Sequence, residues 1–188
     1  MIASLTGQVQ VIEGSLVILN VSGVGYELIV SPVLSASLKV GQDATIFTAH
    51  VVRDDSESLF GFASYSERQL FDLLVTVSGI GPKLALLILS SFSLTDIIGA
   101  VQHAKPELFE SVSGIGRKNA QRIIVELQSK LGSLEDLDLG DFSERSDVVE
   151  ALMSLGYRGR EIKEALRDVD GTLAPDEQIR AALRGLGK

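Results

Sequence analysis

The segment VSGIGPKLALLI at Val77–Ile88 recurs as VSGIGRKNAQRI at Val112–Ile123, 35 residues further along the chain, with 8 of 12 positions identical. Apolar residues at helical spacing precede and follow each copy, so each Gly-x-Gly lies between two predicted helices. A repeat of this kind is the signature of a structural unit that is used twice. The two copies therefore predict a helical domain built from two helix-hairpin-helix units.

The glycines and lysines of the two hairpins are suited to binding phosphate. Glycine permits positive φ and lets a ligand come close to the main chain, and the following helix offers unpaired N–H groups at its positive end. A lysine lies two residues beyond the second glycine of each copy, and Arg122 follows Lys118 by one helical turn. The candidate phosphate contacts are Gly79, Gly81 and Lys83 in the first copy and Gly114, Gly116, Lys118 and Arg122 in the second.

A purely structural role is the alternative, in which Gly-x-Gly is only a tight connection between helices. One copy alone would not decide between the two roles, whereas two near-identical copies, each followed by a lysine, favour phosphate binding. Such a contact reads the backbone of a nucleic acid and not its bases, so it predicts binding that is independent of sequence. Ile80 and Ile115, between the glycines, are assigned to packing.

Residues 1–63 have the pattern of short strands separated by turns. β-Branched and apolar residues are dense in five stretches: Gln8–Ile12, Leu16–Val21, Tyr26–Val30, Thr45–Val52 and Leu59–Phe62. Five such strands predict a small antiparallel barrel or sandwich, and a barrel of the oligonucleotide-binding (OB) type fits. The segment from Pro32 to Ser37 is either a loop or a short helical turn.

Helical spacing replaces the strand pattern from Tyr65 onward, where Ser66 and Glu67 have the character of a helix start. Further helices are predicted at Pro82–Ser90, Thr95–His103, Pro106–Val112 and Arg117–Leu131, and Pro82 and Pro106 suit first-turn positions. The acidic stretch 133–144 has no clean period and is predicted to be a flexible linker.

Helical patterning returns in residues 145–188 and predicts a small three-helix domain. Its three apolar stripes are Val148, Val149, Leu152 and Leu155, then Ile162, Ala165, Leu166 and Val169, then Ile179, Ala182, Leu183 and Leu186.

The charge of the chain is negative and unevenly spread. The net charge of −8 argues by itself against a nucleic-acid partner. However, residues 1–62 and 133–188 carry −4 and −5, whereas residues 63–132 carry +1. The middle segment, which holds the repeat, is therefore the expected place for a phosphate-binding surface.

Composition narrows the remaining function classes. The chain has no cysteine, which excludes disulfides, thiolate metal sites and cysteine nucleophiles and fits a reducing compartment. No apolar run approaches the roughly 18 residues that a membrane span needs, and MIASLTGQVQ has no features of a secretory signal. The phosphate-loop pattern GxxxxGK[ST] is also absent from the sequence, so no ATP hydrolysis by this chain is expected.

The sequence resembles the RuvA family. The motifs VSGIGPKLAL and VSGIGRKNAQRIIVEL carry the resemblance together with GVGYELIV at 23–30 and the barrel segment VVRDDSESLFGF, in family order over residues 1–131 and more weakly beyond. The resemblance implies an α+β multidomain chain: an OB barrel that forms a tetramer core (1–63), a tandem helix-hairpin-helix domain (64–132), an acidic linker (133–144) and a three-helix domain resembling ubiquitin-associated (UBA) domains (145–188).

The same resemblance implies further functional residues. Asp54 and Asp55 match an acidic pin that the family carries on the central hairpin of the barrel, although aspartate in a hairpin turn is also ordinary turn chemistry. Carboxylates there would repel phosphates near the crossover of a junction and disfavour plain duplex. Arg53 and Arg117 are additional candidates for DNA contact.

The partners implied by the resemblance are a four-way (Holliday) DNA junction, the RuvB ATPase, held by the last domain, and the RuvC resolvase. The chain would act as a homotetramer, alone or as paired tetramers, in the bacterial cytoplasm at the nucleoid. Its role in recombination, repair and the SOS response to DNA damage would be non-catalytic. It would bind no cofactor of its own, because ATP and Mg²⁺ are used by the partner motor, and the complex with RuvB would be an ATP-dependent helicase or translocase. RuvB would bind to exposed apolar residues of the last domain. The candidates are Leu152, Leu155, Gly156, Tyr157, Ile179, Leu183 and Leu186.

Three other functions remain open. Helix-hairpin-helix glycosylases carry a catalytic aspartate about 20 residues past the hairpin, and Asp136 lies 20 residues after Gly116 but within the acidic linker. Asp96 has the position of a helix cap with Thr95. A nuclease is less favoured, because the two histidines, His50 and His103, lie far apart in the sequence. A generic duplex-binding module would use the same hairpins without any preference for junctions.

Overall fold

Five strands at the N-terminus close into a barrel in the computed structural model, which describes residues 1–130, 148–149, 151–152, 155–157, 159–167, 169–171 and 173–186. The strands are β1 (Ser4–Glu13), β2 (Leu16–Val21), β3 (Val24–Val30), β4 (Asp43–Val52) and β5 (Glu57–Phe62). They contain all five predicted stretches, and the barrel alternative is confirmed over the sandwich.

The order of the strands around the barrel is β1-β2-β3-β5-β4, and β4 pairs back onto β1. The prediction of a small antiparallel barrel holds at four of the five strand pairs, whereas β3 and β5 run parallel, with Leu28 opposite Leu59 and Val30 opposite Gly61. The reason is parity: an odd number of strands cannot alternate in direction all the way around a closed ring. We call the parallel β3–β5 pair the seam of the barrel, because these two neighbouring strands are not consecutive in the sequence. The seam lies beside the turn that joins β4 to β5.

Alternate side chains of the strands fill the barrel. Val9, Val17, Leu19, Leu28 and Val30 are fully buried there. A Cβ at Gly61 would lie 2.9 Å from methyl groups of both Ile46 and Val30, so the seam has no room for a larger residue. The segment that was left open between loop and helical turn is a helix, α1 (Pro32–Ser37), whose N-cap Ser31 accepts the Leu34 N–H.

The helices that follow the barrel within residues 1–130 are α2 (Tyr65–Val75), α3 (Pro82–Ser91), α4 (Leu94–Gln102), α5 (Glu107–Glu110) and α6 (Arg117–Gln128). Pro82 occupies the first turn of α3 as expected, whereas Pro106 is the N-cap of α5. Their buried apolar side chains form one core, in which Leu70, Ile88, Ile97, Phe109 and Ile123 are almost entirely hidden from solvent.

Two helix starts were assigned to the wrong residue. The N-cap of α2 is Ser64 and not Ser66, since the Ser64 side chain accepts the Glu67 N–H. The N-cap of α4 is Ser93 and not Thr95, and Ser93 forms a capping box with Asp96. Both starts have a serine followed three residues later by an acidic residue, which is the pattern that identifies such a cap in a sequence.

Helix α2 is attached to the barrel through Phe71. This side chain is 1% exposed, and its ring lies 4.9 Å from Phe62 and 5.2 Å from Phe60, both on β5. Near the start of α2, Glu67 accepts the Ala63 N–H at 3.0 Å. Burial raises the pKa of Glu67, and the hydrogen bonds from the Ala63 and Ser64 backbone oppose that rise.

Residues 1–129 form one compact unit and residues 130–188 a second. In the second unit, residues 148–149 and 151–152 are helical, and α7 (Gly159–Arg167) and α8 (Pro175–Leu186) follow. Val148, Leu152, Ile162, Leu166 and Ala182 form its buried cluster. The predicted linker at 133–144 lies outside the described residues, and both the likeness to UBA domains and the exact domain boundaries stay predictions.

Among the described residues, no single helix has the length and apolar character to cross a bilayer. Helices α3 and α4 reach that length only as a pair, with a bend of 101° between them.

Candidate nucleic-acid interface

The two hairpins have nearly the same backbone geometry. The first glycine of each hairpin, Gly79 or Gly114, has φ of 90°. The second glycine is the N-cap of the next helix, with φ −86° and ψ 170° at Gly81 and φ −85° and ψ 166° at Gly116. The sequence repeat is therefore also a structural repeat.

The apolar residue between the glycines fastens each hairpin to the core. The Ile80 N–H donates to the Val77 carbonyl and the Ile115 N–H to the Val112 carbonyl, both at 3.0 Å. Both isoleucines are buried, which confirms their assignment to packing. Because the isoleucines point inward, the glycines on either side are left at the surface.

The two glycines of each hairpin are required for different reasons. Gly79 and Gly114 have a positive φ that side chains rarely adopt, so the turn itself selects glycine there. Gly81 and Gly116 have an extended backbone that any residue can adopt, and an added Cβ would meet no protein atom within 4 Å. Neither conformation nor packing within the protein calls for glycine at these two positions, so the open space in front of them is available to a ligand.

The chemistry of that open space favours an anion. Gly81 and Gly116 make no side-chain capping hydrogen bond to the start of α3 or α6. Helix α3 begins with Pro82, which has no N–H, and the Leu84 N–H bonds to the Gly81 carbonyl, so the first turn of α3 offers the Lys83 N–H. Helix α6 offers the N–H groups of Arg117 and Lys118, and the positive end of each helix dipole adds to these donors. The side chains of Lys83 and Lys118 are exposed nearby. A lysine and free main-chain donors at each hairpin therefore make the two helix starts candidate sites for a phosphate group.

The hairpins also contact each other in a reciprocal manner. An added Cβ at Gly79 would lie 3.5 Å from Oδ1 of Asn119, and one at Gly114 would lie 3.7 Å from Cδ1 of Leu84. Asn119 and Leu84 occupy the same place in the repeat, three residues after the second glycine. A helix of each repeat therefore lies against the hairpin of the other repeat, so the two hairpins pack as neighbours.

The spacing of Arg122 from Lys118 predicts that Arg122 lies at the second hairpin, but the structure places its side chain at the first. Its Nη1 donates to the carbonyl of Ser78 at 3.1 Å and to the Ser78 Oγ at 3.3 Å. The guanidinium of α6 is thus held on the first hairpin, although its sequence position suggests the second. Arg117 is exposed, as is Lys118.

The β4–β5 turn carries the two candidate pin residues at the surface. Asp54 and Asp55 are exposed, and the turn is closed by the Arg53 N–H, which donates to the Ser56 carbonyl at 2.8 Å. The Ser56 hydroxyl donates to Asp55 at 3.1 Å. The two carboxylates are therefore available to a partner of the barrel.

The turn and the first hairpin share a groove that the sequence did not indicate. Its walls come from β3, the β4–β5 hairpin and the start of α3, and include Arg53, Ser56, Ser58, Gly81 and Lys83. Two cationic side chains thus line a channel that runs between the candidate phosphate site and the base of the acidic turn. No local pattern could have predicted this contact, because it depends on how α2 packs on β5.

The described residues that were candidates for catalysis, Asp96 and His50, make contacts of a structural kind. Asp96 accepts hydrogen bonds from the backbone and side chain of Ser93 within its capping box, and Asp136 lies outside the described residues. His50 lies 3.3 Å from Glu57 across the β4–β5 pair. Within the described parts of the chain, no group of three His, Cys, Asp or Glu side chains is placed to hold a metal ion.

The second unit presents a mixture of buried and exposed apolar residues. Leu152 is fully buried and Ile179, Leu183 and Leu186 pack against the cluster, so most of the proposed docking set is core. Leu155 was expected in the same stripe but is 60% exposed, because the helical turns give way there to a bend with a positive φ of 92° at Gly156.

Comparison with known families matches almost the whole chain. The model described as RuvA N terminal domain matches residues 1–61, SAM-like Helix-hairpin-helix tandem matches residues 71–129, and RuvA, C-terminal domain matches residues 143–187.

Three curated relatives, each named Holliday junction branch migration complex subunit RuvA, are similar to the chain over most of their length. The protein of Dichelobacter nodosus is 38% identical over 98% of this chain and 95% of its own length. The protein of Beutenbergia cavernae is 40% identical over 99% of this chain and 97% of its own length. The protein of Acidothermus cellulolyticus is 41% identical over 92% of this chain and 89% of its own length.

Proposed function

The chain belongs to the RuvA family, and we propose that it binds four-way DNA junctions as the non-catalytic subunit of a branch migration complex. The proposal assigns the DNA contact to the two hairpins and the choice of a junction over plain duplex to the acidic turn.

The observation that carries the proposal is the open space at Gly81 and Gly116. The backbone there is extended, and an added Cβ would meet no protein atom within 4 Å, so packing does not require glycine at these helix N-caps. Each position lies at the start of a helix with an exposed lysine beside it. Two such sites of the same geometry suit two phosphates of a DNA backbone. Because the donors are main-chain groups, a chain with a net charge of −8 can still hold DNA.

The acidic turn has the opposite sign and a different task. Asp54 and Asp55 are exposed next to a groove that leads to the first phosphate site. Carboxylates near the crossover repel phosphates that approach it, and a continuous duplex would have to pass closer to them than the separated arms of an open junction. We therefore assign discrimination to repulsion at the turn, with affinity supplied by the hairpins.

The other assignments follow from the family. The chain would act as a homotetramer, singly or in pairs, with the barrels at its centre, and would work alongside the RuvC resolvase. Residues 145–188 would hold the RuvB ATPase, with exposed Leu155 as the first candidate contact, and ATP and Mg²⁺ would be used by that motor. The complex would migrate junctions during recombination and repair in the bacterial cytoplasm.

A gel-shift titration tests the proposed function directly. An immobile four-way junction is compared with a linear duplex of the same arm sequence, at two salt concentrations, with Mg²⁺ and without ATP. We expect strong preference for the junction, no dependence on its sequence, and an affinity that falls with salt by a slope of roughly 0.9 per phosphate contact in a log–log plot. Equal binding to both DNAs would remove the junction-specific function, and no binding by folded protein would remove the phosphate sites as well.

A further inference from the structure

We propose that Arg122 is a positioning residue: it acts on phosphate through the first hairpin, so that helix α6, which follows the second hairpin, sets the geometry of the phosphate site at the first hairpin. The inference rests on the proposed function, since it assumes that the hairpins bind DNA phosphates. It differs from what the sequence spacing indicates, which is that Arg122 works together with Lys118 at the second hairpin.

The side chains of α6 hold Ser78 on both of its peptide groups. Arg122 Nη1 donates to the Ser78 carbonyl at 3.1 Å and to its Oγ at 3.3 Å, and Glu126, one turn further along α6, accepts the Ser78 N–H at 3.4 Å. Both α6 side chains are half-buried, although the hydrogen bonds themselves lie at the exposed surface. Ser78 is thus held by a residue that is 44 positions later in the sequence but in direct contact with it.

Fixing the Ser78 carbonyl also orients the Gly79 N–H, a main-chain donor of the first hairpin that we include in its proposed phosphate site. The Ser78 carbonyl and the Gly79 N–H belong to one planar, trans peptide group, so they point in opposite directions. When Arg122 holds the carbonyl toward α6, the Gly79 N–H is turned away from α6. A charged donor on the carbonyl also polarises the amide and makes its N–H a stronger donor. Arg122 can therefore strengthen a phosphate contact without touching the phosphate.

The other hairpin lacks this support. The repeat places Leu87 and Ser91 of α3 where α6 has Arg122 and Glu126. Leu87 is 40% exposed, Ser91 donates to the Leu87 carbonyl within its own helix, and no side chain of α3, which is described throughout, bonds to Ser113. The two hairpins have the same backbone shape and each is packed against a helix of the other repeat, yet among the described residues only the first is held by side-chain hydrogen bonds from that helix.

Double-mutant cycles on junction binding test this assignment. Arg122→Met removes the donors and keeps a linear apolar stem. Gly81→Ala blocks the first phosphate site and Gly116→Ala the second. We expect Arg122→Met alone to weaken junction binding about tenfold, as for the loss of one charge-assisted hydrogen bond. Arg122→Met should also weaken binding about tenfold when it is added to Gly116→Ala. When it is added to Gly81→Ala, it should have little further effect on binding. Leu87→Met, at the matching place in α3, is the control and should bind as the unaltered protein does.

Each other outcome counts against the assignment. Loss of the Arg122 effect in the Gly116→Ala background, with the effect retained in the Gly81→Ala background, would return Arg122 to the second hairpin as a direct phosphate contact. Equal effects in both backgrounds, accompanied by a lower melting temperature of Arg122→Met, would make it a general stability residue. If neither glycine variant weakens binding while both stay folded, the proposed function itself fails, and the inference fails with it.

Discussion

Replacing the second glycine of either hairpin by alanine should separate DNA binding from folding. At Gly81 and Gly116 the backbone is extended and an added Cβ meets nothing within 4 Å. Alanine is a poorer N-cap than glycine by roughly 0.5–1 kcal/mol, and it restricts the unfolded chain by a similar 0.4–1 kcal/mol. These terms oppose each other, so the free energy of unfolding should change by less than about 1 kcal/mol.

The effect on DNA binding should be much larger. The new methyl group occupies the space through which a phosphate reaches the helix N–H groups. Loss of one hydrogen bond to a charged group is worth about 1.5–3 kcal/mol, which corresponds to a roughly tenfold to hundredfold weaker junction affinity. The assays are urea unfolding of the full chain, followed by circular dichroism, and fluorescence anisotropy with a labelled four-way junction.

The first glycine of each hairpin supplies a matched control. At Gly79 and Gly114 the φ of 90° strains any side chain, so alanine there should destabilise the protein by about 1–3 kcal/mol. Alanine at Gly81 or Gly116 should leave stability intact and reduce binding. Unchanged junction affinity of a folded Gly81→Ala, Gly116→Ala double variant would refute the reasoning, because the open space would then have no ligand.

Three further results are expected. Asp54→Asn combined with Asp55→Asn should bind linear duplex more tightly and narrow the gap to the junction, and an unchanged ratio of the two affinities would exclude repulsion at the turn. Phe71→Ala should lower the free energy of unfolding by about 3–5 kcal/mol, since the ring is 1% exposed between barrel and helices; a loss below about 1 kcal/mol in urea would show that it anchors little. Burial raises the pKa of Glu67, so the folded state favours its protonated form. The stabilisation that the folded state gains from protonation of Glu67 is present below the ordinary pKa of a glutamate, and it is lost as the pH rises through the raised pKa. Glu67→Gln should therefore gain stability relative to the unaltered protein as the pH rises above the ordinary pKa of a glutamate, and a difference independent of pH in urea unfolding would contradict the assignment.

Much of this protein could be predicted from local patterns. Strand and helix stretches were recognised because side-chain periodicity and turn residues act over a few neighbouring positions. The hairpin glycines were recognised because the same segment is used twice. The helix starts at Ser64 and Ser93 were missed although their capping patterns are local, which shows that adjacent serine and threonine residues compete for one role until the helix axis is known.

Local sequence patterns predicted the order of the elements, most of their types and the two Gly-x-Gly hairpins, because these depend on backbone preferences within about a dozen residues. Tertiary structure alone decided the parallel β3–β5 seam, which follows from closing an odd number of strands. It also decided that the first hairpin shares a groove with the acidic turn and that Arg122 is held by Ser78. Such contacts join residues far apart in the chain, and only the packing of α2 on the barrel and of α6 across the repeat brings them together.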